Sequence, residues 1–237
     1  MRDKDIDRTR RPSRRPDSPS LPTKRYKGSR RDRVQVAYRR IAWLFIAGSS
    51  CFALGSAPFY AQLVAPSVVG VTFFIGSLFF TGAALLQFLQ AFTEGRAGQS
   101  DHVDLLVAAV QLAGTLFFNI TTFTGMNDAL STHLRNIRVW APDAFGSICF
   151  LVASGLAFHE VCGAWFCRRW HERPWRISAL NMLGSILFGI SAVTSFVLPD
   201  TGELLNTAAT NAFTFLGAVC FLLGAYLLIP VKEAGTT

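Results

Sequence analysis

Charge is what this sequence has least of. Asp, Glu, Lys and Arg make up 16% of its 237 residues, against about 25% in an ordinary soluble domain. No charged residue lies between Ile41 and Thr93. The runs Leu105–Asn127, Ala144–Phe166 (apart from His159-Glu160), Ile177–Leu198 and Ala209–Ile229 are equally bare. A single soluble globular domain is excluded, because such runs leave no polar exterior. Five Cys without paired spacing argue against a disulfide-built secreted scaffold. There is no phosphate-binding glycine loop, no elbow for a Ser nucleophile and no carboxylate pair set for acid–base work, so soluble-type catalysis has no support. No run carries an ionisable residue at its middle, which argues against ion-coupled transport.

The charge that is present is badly mixed. Residues 1–40 hold 15 of the 23 Lys and Arg and five of the 15 Asp and Glu, a net of +10, and the rest of the chain nets −2. Rich in Arg, Pro, Ser and Asp, Met1 to about Lys27 cannot bury enough surface to offset its ordering entropy and reads as disorder. Its Arg pairs fit a segment held in the cytoplasm, with anionic lipid head groups as the expected partner. Nucleic acid is not expected, since aromatics beyond Tyr26 and a folded basic face are both lacking. Gly55-Ser56-Ala57 has the small residues of a signal cleavage site. Pro58 would follow the cut, however, and another apolar span comes at once, so the run reads as a retained helix.

At about 20 residues per crossing, the body gives six spans: two in Ile41–Thr93, divided by a turn between Pro58 and Pro66, and one in each later run. The expected fold is an all-α membrane protein over 41–230, preceded by the basic tail 1–40 and followed by the short tail 231–237. With the N-terminus inside, 21 Lys and Arg fall on the inner side and only Arg135 and Arg138 on the outer. Both termini are therefore expected in the cytoplasm.

Each span also carries one short pattern: Gly, a small residue, two mostly apolar residues, then Phe. It reads Gly48–Phe52, Gly76–Phe80, Gly114–Phe118, Gly146–Phe150, Gly184–Phe188 and Gly217–Phe221. Spacings between alternate glycines are 66 and 70 for the odd spans and 70 and 71 for the even ones. Three repeated helical hairpins follow, over 41–92, 104–166 and 177–230. Gly and Phe four apart share a helix face, and in lipid small residues let backbones close up while rings fill the neighbouring groove. Glycines lining a narrow pore would be the functional alternative.

The first and last hairpins, with the cues Gly76–Phe80, Asp143–Phe150 and Thr201–Asn206, resemble the YrhK-like domain, a small two-span unit of bacterial membrane proteins. That resemblance implies the bacterial cytoplasmic membrane. It implies no activity, cofactor or site residue.

Three candidate sites remain. Gln111, Asn119, Thr122 and Asn181 could line a polar path, or simply bond between helices. The match of Asn119-Ile120-Thr121 to a glycosylation acceptor is accidental within a span. Arg168, Arg169, Trp170, Arg173, Trp175 and Arg176 read as a lipid-interface belt. Beside them His159, Cys162, Cys167 and His171 have the chemistry of zinc ligands but fit no zinc spacing, and both cysteines read as small apolar fillers. The longest outer loop, Met126–Pro142, gathers Asp128, His133, Arg135 and Arg138 and is the best candidate for an external contact. The sequence thus favours a non-enzymatic scaffold, regulatory or sensing component without cofactor or metal, open to a protein partner or self-association. The alternative is a passive channel or small-solute transporter.

Overall fold

The computed structural model describes residues 23–98, 102–127 and 129–230. Its contacts divide the chain into Met1–Val34 and Gln35–Thr237. Only helical backbone, from Thr23, is described in the first unit. The calls on Met1–Pro22, Asp128 and 231–237 lie outside the described residues. The described residues are helical, with one isolated bridge between Val197 and Leu204.

Eight α-helices occur in the order α1 Thr23–Ser56, α2 Pro58–Leu63, α3 Pro66–Arg96, α4 His102–Thr124, α5 Thr132–Arg135, α6 Ala141–Cys162, α7 Arg173–Thr194 and α8 Thr207–Leu228. A π-helical turn, Asn136–Trp140, joins α5 to α6. Proline marks the first turn of α2, α3, α6 and α7, where its missing N–H would be unpaired anyway. The Asn206 side chain caps α8 by accepting from the Ala209 N–H at 2.9 Å. Gly163 ends α6 at φ +66°, a left-handed conformation open to glycine, its N–H reaching the His159 carbonyl at 2.8 Å.

Two boundaries differ from expectation. Helix α1 is already helical at Thr23, inside the basic segment. The connector expected over Met126–Pro142 is largely helical, running without a break from Thr132 to Cys162. Ser131 starts it, accepting from the Leu134 N–H at 3.5 Å.

Among the described residues, five helical stretches are long and apolar enough to cross a membrane: Pro66–Arg96, His102–Thr124, Thr132–Cys162, Arg173–Thr194 and Thr207–Leu228. Their outer faces carry exposed Ile75, Leu116, Ile148, Leu183 and Leu223, an apolar surface suited to lipid.

Three helix pairs cross at glycine. A Cβ added at Gly48 would lie 3.0 Å from the Gly76 carbonyl oxygen, and one at Gly76 would lie 3.2 Å from that of Gly48. The same reciprocal approach, at 3.1–3.2 Å, joins Gly114 to Gly146 and Gly184 to Gly217. Only residues without a Cβ let two helix backbones come this near. The residue after each glycine is sealed too: Ser49, Ser77, Thr115, Ser147, Ser185 and Ala218 are all at most 2% exposed.

Candidate functional site

Four residues beyond each crossing glycine, one turn along the same helix face, stands a buried phenylalanine. The six rings meet at the centre of the bundle. Phe52, Phe118 and Phe188 form a triangle with centroids 5.8–6.4 Å apart. Phe80, Phe150 and Phe221 form a second, at 5.8–6.3 Å. Three closer contacts join the triangles corner to corner: Phe52 to Phe80 at 5.5 Å, and Phe118 to Phe150 and Phe188 to Phe221 at 5.2 Å each. Every ring therefore touches three others within the favourable aromatic range. The result is a triangular prism of six rings, packed without polar atoms.

The prism separates two cavities. The larger, of about 380 Å³, lies toward the end carrying α2, with Phe52, Phe118 and Phe188 as its floor. This size is usual for a small-molecule site. Its walls hold Thr121, Thr122, Ser147, Ser191, Thr210, Thr214 and Asn211, together with Asp143, Ser195 and Arg135. Most of the hydroxyls are already committed. Thr121 donates to the Val139 carbonyl at 3.0 Å and Thr122 to that of Phe118 at 2.7 Å. Ser191 donates to the Thr210 carbonyl at 3.0 Å and meets the Thr214 hydroxyl at 2.6 Å.

Two groups are served poorly. Asp143 receives one hydrogen bond, from the Ser195 hydroxyl at 3.3 Å. Ser147, one turn further along α6 and 2% exposed, has an Oγ with no partner among the described residues. The cavity's rim is held by Asn136, which donates to the Val197 carbonyl at 2.7 Å and accepts from its N–H at 3.0 Å. Trp140 adds a second tie, its indole donating to the Ala192 carbonyl at 2.9 Å.

On the other side of the prism is a cavity of about 70 Å³, with Phe80, Phe150 and Phe221 on one wall and Gln87, Gln111, Ser154 and Asn181 among its lining. Gln111 donates to Gln87 at 3.2 Å. A neighbouring groove of about 180 Å³ collects Tyr38, Gln90, Glu94 and Asp104. Burial pushes the Tyr38 phenol up from its ordinary range, and the carboxylates of Glu94 and Asp104 add to the shift.

No family model, curated protein or solved structure matches the chain. Its functional reading rests on its own geometry.

The four residues of the suggested polar path do not meet. Gln111 and Asn181 line the small cavity and Thr122 the large one. Asn119 turns sideways and donates to Thr81 at 2.9 Å, bonding α4 to α3. Of the suggested belt, Arg168, Arg169, Trp170 and Arg176 are exposed, with the Arg168 guanidinium 5.2 Å from the Trp170 ring. Trp175 is instead buried and donates to the Cys167 carbonyl at 3.1 Å. Arg173 turns inward to donate to the Leu227 carbonyl at 2.6 Å and to that of Ile229, closing the end of α8. Trp165 and Phe166, which the sequence reading passed over, are the most exposed aromatics of this segment, at 66% and 93%.

The cysteines correct another expectation. Cys162 and Cys167 are not separate fillers but a disulfide, their Cα atoms 5.5 Å apart. The left-handed turn at Gly163 reverses the chain between them. The His159 ring packs at a tilt against Trp165, centroids 4.8 Å apart.

Proposed function

We propose that this chain is a multi-pass protein of the bacterial cytoplasmic membrane whose bundle is shut at its centre, and that it acts as a non-enzymatic sensing or scaffolding component. The aromatic prism carries this reading. A solute crossing the bundle axis would have to part six mutually packed rings, which leaves the large cavity open on one side only. Six crossings fit three repeated hairpins built on α1/α3, α4/α6 and α7/α8. The apolar part of α1, Ile41–Ser56, spans about 24 Å as a helix, short of the roughly 30 Å hydrocarbon core, and α2 supplies the remaining depth. The strong excess of Lys and Arg at the opposite end supports cytoplasmic termini and contact of the basic tail with anionic lipids. The Cys162–Cys167 disulfide then lies on the cytoplasmic side, where the reducing compartment opposes it. The likeness to the YrhK-like domain agrees with this membrane and adds no activity.

The passive channel is the second reading, favoured by one observation: polar cavities approach the prism from both sides. Stopped-flow light scattering on proteoliposomes, with glycerol and urea as solutes, separates the two. A closed bundle gives the same permeability as protein-free vesicles. Faster permeation in the wild-type protein overturns it and supports the channel.

A further inference from the structure

We propose that the large cavity is a binding site for a small molecule carrying an ammonium group, with Asp143 as its counter-charge and the Phe52, Phe118 and Phe188 rings as its floor. The inference rests on the sensing reading and deepens it by naming a ligand class, and its test does not depend on flux.

Three independent observations converge on this ligand class. First, a carboxylate set in an apolar helical bundle is costly unless it is paired. Asp143 lies on the cavity wall with a single hydroxyl donor at 3.3 Å and, among the described residues, no ion pair. The space it faces is large enough for a ligand to supply the missing charge. Second, Ser147 lies one turn along the same helix and also lines the cavity, buried at 2% exposure with its Oγ unpartnered. An unmade hydrogen bond in such a place is itself expensive, and an N–H or O–H donor from a ligand would make it. Third, the floor is three aromatic rings. Aromatic faces attract desolvated cations, quaternary ammonium groups above all.

The other charged side chain on the lining, Arg135, lies eight residues before Asp143 on the same helical run; it has an interaction of its own and takes no part in holding the ammonium group.

The test uses the purified full-length protein in lipid nanodiscs, with radiolabelled choline, tetramethylammonium and methylammonium as probes, and 3,3-dimethylbutan-1-ol as an uncharged isostere of choline. Saturable binding of at least one ammonium probe is expected, without competition from the neutral isostere. The D143N variant should weaken binding about tenfold or more, the scale on which losing a desolvated charge partner acts. S147A should weaken it more modestly. Thermal unfolding of both variants provides the folding control, and D143E should recover binding in part if the charge is what matters. The proposal is overturned if none of the three probes binds, if the neutral isostere competes equally, or if folded D143N binds as the wild type does. A leaky proteoliposome with intact, Asp143-dependent binding would sink the closed-bundle reading while leaving this one standing.

Discussion

Replacing Gly217 by Ala is the sharpest probe of how the bundle holds together. In an isolated helix this change is favourable by about 1 kcal/mol, because Ala loses less backbone entropy than Gly. Here the new Cβ would press into the Phe188 ring, 2.8 Å from its Cε1, and stand 3.1 Å from the Gly184 carbonyl oxygen. Phe188 cannot swing away, since Phe52, Phe118 and Phe221 enclose it, and a backbone oxygen moves only with its helix. The pair must therefore spread. Overpacking of this kind costs about 3 kcal/mol at the upper end of its usual range, so the net loss is about 2 kcal/mol. The control is Gly155→Ala on α6, where an added Cβ meets nothing within 4 Å and the helical gain of up to ~1 kcal/mol should survive. Thermal unfolding followed by tryptophan fluorescence in detergent reads both. At about 2–4 °C per kcal/mol for a chain of this size, Gly217→Ala should fall about 4–8 °C and Gly155→Ala should hold or rise. A Gly217→Ala protein as stable as the wild type would refute the claim that these glycines set the helix separation.

Other consequences can be checked alongside. Phe188→Ala removes one corner of the prism and should cost about 3–5 kcal/mol, read as a drop in the unfolding midpoint. Asn136→Ala loses both bonds to Val197 and should cost about 1–3 kcal/mol, with faster hydrogen exchange confined to the 195–206 connection. Alkylation mass spectrometry of the oxidised protein under denaturing conditions should label Cys51, Cys149 and Cys220 without reductant and all five cysteines with it. Measured against the oxidised protein, converting Cys162 and Cys167 to Ser should cost about 2 kcal/mol, the entropy released by a loop this short, and should quicken proteolysis of the 163–172 segment.

The helical class and the location of the five long apolar helices were legible because charge-free runs have few other uses. The Gly-to-Phe spacing was legible for a similar reason, since a residue and its fourth neighbour share a helix face whatever the tertiary fold. What the spacing could not carry was rotation about each helix axis, which decides whether six rings face outward grooves or one another. The large cavity stayed hidden because its walls come from residues as far apart as Phe52 and Thr214. Asp143 looked like a residue at the edge of a span, because the helix that bears it was taken to start later. The Cys162–Cys167 bond escaped because five residues look too far apart on a helix, and only the reversal at Gly163 takes them off it.

The prism also fixes a number. Each helix pair gives one ring to each triangle, so one pair alone leaves two corners of each triangle empty and two pairs leave one. Three is the smallest set that closes both. If the chain were severed at 97–101 and 163–172, the three pieces would each be incomplete in the same way and could satisfy their rings only by meeting as a trio. The connections between the pairs would then serve stoichiometry and order of assembly more than cohesion.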